Sequence, residues 1–156
     1  MCRNRKHYDA LQREILEVIG SDLDKPIPYE QLNKLVYCEA IFKETVRLIP
    51  FLPTINRVSS ADDEISGMQW PADTMFLVNT CGIHSHTSHW DEPEKFDPTR
   101  FLEKDAEPDG KGEMYTFLPF GGGARFCPGK IHFKIFKKYV FFCNFVNMNF
   151  FFRGFV

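Results

Sequence analysis

The residues with the clearest chemical potential lie in one stretch near the end of the chain. It reads FLPFGGGARFCPGK from Phe117 to Lys130 and combines three consecutive glycines with Arg125 and Cys127. A thiolate binds metals or attacks electrophiles, and backbone N–H groups at a helix start favour that form. Glycines let the backbone approach a large flat group, and an arginine holds a carboxylate. Three glycines alone are more typical of an ordinary turn beside an incidental cysteine, and only the full spacing favours a site.

Composition and charge restrict the class of protein. The 156 residues are 44% hydrophobic, which fits one globular domain. The net charge is −2, but six Lys/Arg and no Asp/Glu follow Glu113. Such a basic end can indicate contact with an anionic membrane or nucleic acid, but it is more often a solvated surface. No run reaches the roughly 18 apolar residues of a membrane span, and no signal peptide opens the chain.

The cysteines are too widely spaced to indicate a disulfide framework or a CxxC site. Their odd number and spacing favour a reducing compartment. They are Cys2, Cys38, Cys81, Cys127 and Cys143.

Two amphipathic helices are predicted ahead of the glycine-rich stretch. The segment YDALQREILEVIGSD has apolar residues at helical spacing and stops at Gly20, a natural residue just after a helix. The segment QLNKLVYCEAIFKETVRLIP is predicted to form one continuous helix that ends before Pro50.

Short β-rich pieces follow between Thr54 and Thr80, and they predict one small sheet. From Cys81 to Tyr115 the chain has little periodicity, which predicts an ordered but irregular meander and then a surface loop. A third helix is expected to begin near Pro128. The predicted fold class is therefore mainly α with a small β-sheet, an α+β arrangement.

The segment FGGGARFCPG, from Phe120 to Gly129, resembles the haem-binding signature of the cytochrome P-450 superfamily. The resemblance implies a haem cofactor with Cys127 as the axial thiolate ligand of the iron, a ligand that favours O–O cleavage. It also implies that Arg125 pairs with a haem propionate, that Phe120 packs near the ligand loop and that Gly129 belongs to the cofactor site. The fold class then becomes the incomplete C-terminal, haem-ligand part of the cytochrome P-450 fold.

A second element resembles the ExxR helix of the same superfamily. Glu44 and Arg47, in KETVRLIP, lie three residues apart and so share one helix face. Such a pair alone is usually a solvated ion pair. The resemblance implies that Arg100, in FDPTRF, completes a Glu–Arg–Arg cluster whose role is structural.

The resemblance extends from about Tyr8 to Lys130. It implies that Arg57 contacts the second propionate and that the residues after Pro50 line the substrate pocket. The implied pocket residues are Phe51, Leu52, Thr54 and Ile55. Within the superfamily, the sequences of these motifs are most similar to those of the branch that includes fatty-acid hydroxylases and many insect enzymes.

The resemblance implies a monooxygenase, an oxidoreductase that hydroxylates a small apolar organic substrate with O₂ and electrons from a reductase. The complete protein is expected at the endoplasmic reticulum membrane, without a nucleic-acid partner. The chain shows no counterpart of the family's membrane anchor or of its long central helix. We therefore expect this chain to be cytoplasmic and inactive alone. The alternative is a truncated, catalytically inactive product that at most binds haem or a partner.

The last residues depart from the superfamily. We divide the chain into a cytochrome P-450-like region, residues 1–130, and an atypical tail rich in Phe and Lys, residues 131–156. One hypothesis is that the tail is read-through of an intron or a shifted frame. The other is a basic, aromatic helix on a membrane surface.

A metal site of another kind is a distant alternative. His84, His86 and His89 form an HxHxxH pattern that can bind zinc or copper. The loop position and the absence of a neighbouring carboxylate or cysteine pattern count against it.

Overall fold

The computed structural model describes residues 4–21, 27–102 and 115–129. Helices predominate over short strands, which confirms the predicted α+β class. Among the described residues, no helix has the length and apolar character needed to cross a membrane. In chain order the elements are α1 (Arg5–Val18), α2 (Tyr29–Asn33), α3 (Val36–Leu48), β1 (Thr54–Val58), β2 (Asp63–Ile65), β3 (Met68–Trp70), β4 (Met75–Asn79) and α4 (Thr80–Ser85), with 3-10 helices at Pro98–Phe101 and Gly123–Arg125.

Composition predicts one domain, whereas contacts divide the described residues into two compact units. The first unit consists of residues 4–21, 27–44, 97–102 and 127–129. The second unit consists of residues 45–96 and 115–126. Each unit is described by itself below.

Helix α1 in the first unit follows the predicted pattern. Leu11 and Ile15, one helical turn apart, are its buried residues. The helix ends as expected, because the Gly20 N–H donates to the Leu16 carbonyl and Gly20 has a φ of +90°. This left-handed conformation suits a glycine directly after a helix.

The single helix predicted after residue 30 is wrong, because two helices, α2 and α3, lie there. The break coincides with a cap from α1: the Glu14 carboxylate accepts the backbone N–H groups of Tyr37 at 2.6 Å and Cys38 at 2.8 Å. These groups have no partner within a helix, and a carboxylate also interacts favourably with the helix N-terminus. A distant carboxylate thus helps to fix the start of α3, a contact that local periodicity does not show.

The single sheet predicted in the second unit is also wrong, because the strands form two separate antiparallel pairs. β1 pairs with β4, with Thr54 opposite Asn79 and Val58 opposite Met75. Exposure alternates along both strands, so one face of this pair is exposed and the other is partly covered.

The second pair is a hairpin of β2 and β3, joined by Ser66 and Gly67. Both turn residues have positive φ, +55° and +77°, as a two-residue type I′ turn requires. Because this turn matches the strand twist, the hairpin needs no further strand to define its register.

The segment predicted as an irregular meander contains two short helices. Asn79 caps α4, since its side-chain oxygen accepts the Gly82 N–H at 2.9 Å. Asp97 caps the following 3-10 helix in the same way, because its Oδ1 accepts the Thr99 N–H at 3.0 Å. Both are typical cap residues, and Pro98 suits the first position of a helix. The helix expected near Pro128 falls largely outside the described residues, which end in a turn at Gly129.

Candidate functional site

Glu44 of α3 provides a buried carboxylate within the first unit. Glu44 is 0% exposed, and its Oε1 accepts the backbone N–H of Asp97 at 3.0 Å. The same oxygen lies 3.4 Å from the Nε of Arg100, which donates to it. A buried charge needs such partners to offset its lost hydration. The structure thus brings Glu44 and Arg100 together.

Asp97 connects this carboxylate to the 3-10 helix that carries Arg100. The hydroxyl of Thr99 donates to Asp97, and this bond lowers the pKa of Asp97. The Thr99 amide and the charge of Arg100 act in the same direction, against the effect of burial. An ionised Asp97 therefore holds the helix that presents Arg100 to Glu44.

Arg47 lies in the second unit, and its guanidinium binds backbone carbonyls. It is 1% exposed and donates to the carbonyl oxygens of His84 at 2.8 Å, Pro93 at 2.7 Å and Lys95 at 3.4 Å. Its Cζ also lies 5.2 Å from the centre of the Trp90 ring. A planar donor that binds three carbonyls and stacks on an aromatic ring fixes the course of the meander. The predicted Glu44–Arg47 pair joins residues of different units and stays a prediction.

His84 at the end of α4 contacts the residues just before the glycine-rich loop. Its Nε2 accepts the Leu118 N–H at 2.8 Å, and its ring centre lies 5.3 Å from that of Phe117. The pKa of His84 is lowered to about 4, mainly by burial and also by the charge of the Arg47 guanidinium, against a smaller opposing effect of a hydrogen bond with the Arg47 backbone. The imidazole is therefore neutral at pH 7.

The glycine-rich loop bends in a way that only glycine adopts easily. Gly121 has a φ of +71° and Gly123 a φ of +67°. A Cβ at Gly121 would lie 3.6 Å from the Cδ1 of Ile55 and 3.9 Å from an Nη of Arg57. The structure thus brings the predicted residues Ile55 and Arg57 to the loop, where a side chain at Gly121 would fill the space between them.

The remaining predicted cofactor residues differ in exposure. Arg125 is exposed, and Phe120 is partly buried. In the first unit, Cys127 is exposed and free of any disulfide. A Cβ at Gly129 would lie 3.4 Å from its sulfur, so the glycine keeps space open beside the thiol. An accessible free thiol is what a metal ligand requires.

The residues predicted to line a substrate pocket lie at the entrance to β1. Phe51 and Leu52 are 63% and 65% exposed, Thr54 is exposed and Ile55 is partly buried. The hydroxyl of Thr80 donates to the Leu52 carbonyl and so ties this stretch to the start of α4.

The three histidines of the zinc alternative do not form a metal site. His84 is buried with its Nε2 occupied by Leu118, whereas the Nδ1 of His86 lies 2.6 Å from the hydroxyl of Ser88. Across residues 4–21, 27–102 and 115–129, no group of three His, Cys, Asp or Glu side chains is placed to hold a metal ion. The zinc alternative therefore has no support from the geometry.

Two supporting residues were missed from the sequence. Glu14, which caps α3, carried no signal, because its partners lie 23 and 24 residues away. Asp97 had a local signal, since an Asp-Pro-Thr run is typical of a capped helix start.

The family model for cytochrome P450 matches residues 1–131. The chain belongs to the cytochrome P450 family, which confirms the resemblance drawn from the glycine-rich loop. Proteins of this family are haem-binding monooxygenases.

Several curated relatives are plant proteins. The chain is 34% identical to cytochrome P450 84A1 of Arabidopsis thaliana over 83% of its own length and 24% of the relative's. It is 40% identical to cytochrome P450 CYP82J17 of Trigonella foenum-graecum over 84% of its length and 25% of the relative's. With cytochrome P450 76C3 of Arabidopsis thaliana the identity is 42%, over 83% and 24% of the two lengths. The chain thus spans about a quarter of these relatives, and the predicted branch within the family stays a prediction.

Proposed function

We propose that this chain carries the haem-ligand region of a cytochrome P450 monooxygenase, with Cys127 as the axial ligand of the haem iron. The observation that carries the proposal is the form of the glycine-rich loop. Positive φ at Gly121 and Gly123 and the absence of a side chain at Gly121 leave bare backbone beside Ile55 and Arg57. A flat apolar macrocycle with carboxylate groups fits such a surface, because glycine permits close approach and arginine binds carboxylates.

The donor atoms also fit haem. Cys127 is exposed and free, and Gly129 leaves room beside its sulfur. A cysteine thiolate is the axial ligand that haem-thiolate proteins use. When bound, haem supplies the iron at which dioxygen is activated for insertion of one oxygen atom into a substrate.

Each remaining site residue has a proposed role toward the cofactor. Arg125 and Arg57 bind the two propionates, and charge-assisted hydrogen bonds make this binding strong. Phe120 packs beside the ligand loop. Glu44 and Arg100 keep the 3-10 helix Pro98–Phe101 in place, because their opposite charges pair with each other away from water.

The substrate and partners of the complete protein are also proposed. Phe51, Leu52, Thr54 and Ile55 would line the pocket, and their mainly apolar character suits a small apolar organic substrate. Electrons would come from a reductase, and the complete protein would work at the endoplasmic reticulum membrane. We further propose residues 1–130 as the cytochrome P450 region and residues 131–156, which lie outside the described residues, as a tail of separate origin.

The test is the spectrum of the reduced, CO-bound chain after addition of haemin. We expect a Soret band at the long-wavelength position typical of thiolate ligation. Cys127→Ala should remove this band because the ligand is lost. Cys81→Ala is the matched control, since Cys81 is also free and partly exposed but lies outside the glycine-rich loop, and it should keep the band. A wild-type chain without the band, or a band that survives in Cys127→Ala, would contradict the proposal.

A further inference from the structure

His84 is a buried polar residue that the proposed haem site does not use directly. It is 0% exposed and lies in the last turn of α4. Its backbone carbonyl accepts a hydrogen bond from the Arg47 guanidinium at 2.8 Å, and its ring accepts the Leu118 N–H at 2.8 Å. One residue thus receives a bond from α3 on its backbone and a bond from the glycine-rich segment on its side chain.

The protonation of the ring follows from these partners. A backbone N–H can only donate, so the Nε2 of His84 carries no proton when it faces Leu118. The proton of the neutral ring therefore sits on Nδ1. In the described part of the chain, Nδ1 is buried without a well-formed hydrogen bond, and its neighbour is the Arg47 backbone, whose interaction with the ring raises the pKa of His84. The well-formed hydrogen bond of this ring is therefore the one that Nε2 accepts from Leu118.

Leu118 in turn holds the beginning of the loop. Its carbonyl accepts the Gly121 N–H at 3.2 Å, which closes the turn that leads into the glycines. Its Cδ2 would lie 3.4 Å from a Cβ at Gly122, so its side chain packs directly against that glycine. The preceding Phe117 packs on His84, and its ring also lies 6.3 Å from that of Trp90.

We infer that His84 is a positioning residue for the haem loop: its neutral ring accepts the Leu118 N–H and fixes where the glycine-rich turn begins. The Arg47 guanidinium donates to the His84 carbonyl, and the His84 ring accepts the Leu118 N–H. The Leu118 carbonyl accepts the Gly121 N–H, and the Leu118 side chain packs against Gly122. The role of these contacts in haem binding rests on the proposed function, whereas the hydrogen bond between His84 and Leu118 can be tested without haem.

The first test is hydrogen exchange of backbone amides in the full 156-residue chain. His84→Leu removes the acceptor and should speed exchange at Leu118 and Gly121 about tenfold, while amides of β1 and β4 stay unchanged. His84→Gln offers a carbonyl oxygen to the same N–H and should return exchange to within about threefold of the wild type. His86→Leu is the matched control, because His86 is exposed and its ring bonds to the nearby Ser88, and it should change neither amide. Equal exchange in wild type and His84→Leu would overturn the inference.

A second measurement uses the wild type alone and decides the matter if His84→Leu does not fold. Nitrogen NMR shifts of the His84 ring at pH 7 should show a protonated Nδ1 and an unprotonated Nε2, with a coupling across the bond to the Leu118 N–H. A proton on Nε2 would exclude this bond and overturn the inference.

Haem binding separates the inference from the proposed function. If the wild type gives the thiolate-type band, His84→Leu should weaken haem affinity about tenfold and His84→Gln should restore most of it. If both variants bound haem as tightly as the wild type, the positioning role would be overturned while the proposed function stands. A wild type that binds no haem would contradict the proposed function, and the exchange data would still decide whether His84 fixes the loop.

Discussion

Two arginines of this chain have opposite surroundings. Arg47 is 1% exposed and donates to three backbone carbonyls, whereas Arg125 is exposed at the end of the glycine-rich loop. The same contrast separates the buried Glu44 and His84 from the exposed Cys127. Arg47 and Glu44 make their hydrogen bonds inside the protein, whereas Arg125 and Cys127, which are proposed to bind the cofactor, are exposed.

This difference separates stability from chemistry. A buried charge bound to several groups cannot be removed without leaving those groups unpaired. An exposed charge is hydrated, so its removal costs the fold little. Variants of the two kinds should therefore fail in different assays.

The largest effect is expected for Arg47→Leu. The substitution leaves the carbonyls of His84, Pro93 and Lys95 without their donor and should lower the free energy of unfolding by about 3–5 kcal/mol. Arg125→Leu, the same change at an exposed position, should stay within about 0.5 kcal/mol of the wild type. Urea unfolding followed by circular dichroism measures both.

The haem assay completes this pair. Arg125→Leu should weaken haem binding although its stability is unchanged, because it removes a proposed propionate partner. An unfolding free energy that falls equally in both variants would break the distinction between the two arginines.

The next effect is a loss of stability in acid that depends on His84. Between pH 6.5 and about 4 the unfolded chain protonates this histidine and the folded chain does not, so unfolding takes up a proton. Stability should therefore fall as the pH falls through this window, on the order of 2 kcal/mol once solvent screening is allowed for. Urea unfolding at several pH values measures it.

His84→Gln isolates that contribution, since glutamine keeps an acceptor and does not titrate. The difference between wild type and variant should change across the window and level off below it. Parallel curves for the two proteins would show that another group causes the acid loss.

The smallest effect on stability compares two glycines with positive φ. Gly121→Ala and Gly20→Ala should each cost about 1 kcal/mol, because both impose a left-handed conformation on alanine. Only the Cβ at Gly121 would meet other groups, Ile55 and Arg57, whereas nothing lies within 4 Å of one at Gly20. Haem titration should therefore show weaker binding for Gly121→Ala alone. A similar loss with Gly20→Ala would mean that general stability, rather than the loop surface, governs haem binding.

Local patterns predicted the elements of the fold better than their boundaries. The spacing of Leu11 and Ile15 was enough for α1, and short β-rich pieces separated by turn residues were enough for the strands. The break before α3 was not predictable, because the helix start depends on Glu14 of another helix. The division of the strands into two pairs depends on the turn at Ser66 and Gly67, whose type I′ geometry was not anticipated.

For the site, the motif predicted which residues to consider, and the structure added how they are held. The proximity of Glu44 and Arg100 followed from the resemblance to the family, since 56 residues separate them along the chain. The carbonyl partners of Arg47 and the role of His84 could not be predicted. Backbone acceptors look the same at every position of a sequence, and a histidine with a hydrogen-bonded ring looks like any other.

The residue that caps α3, Glu14, is synthesised before the backbone amides that it binds. The chain leaves the ribosome from its N-terminal end at about 5–20 residues per second, so the 23 residues between Glu14 and Tyr37 take about 1–5 seconds to be added. Helix formation takes on the order of a microsecond. The carboxylate that caps α3 is thus already made when the amides it will bind are synthesised, and the helix that carries Glu44 and Arg47 can be capped as it emerges.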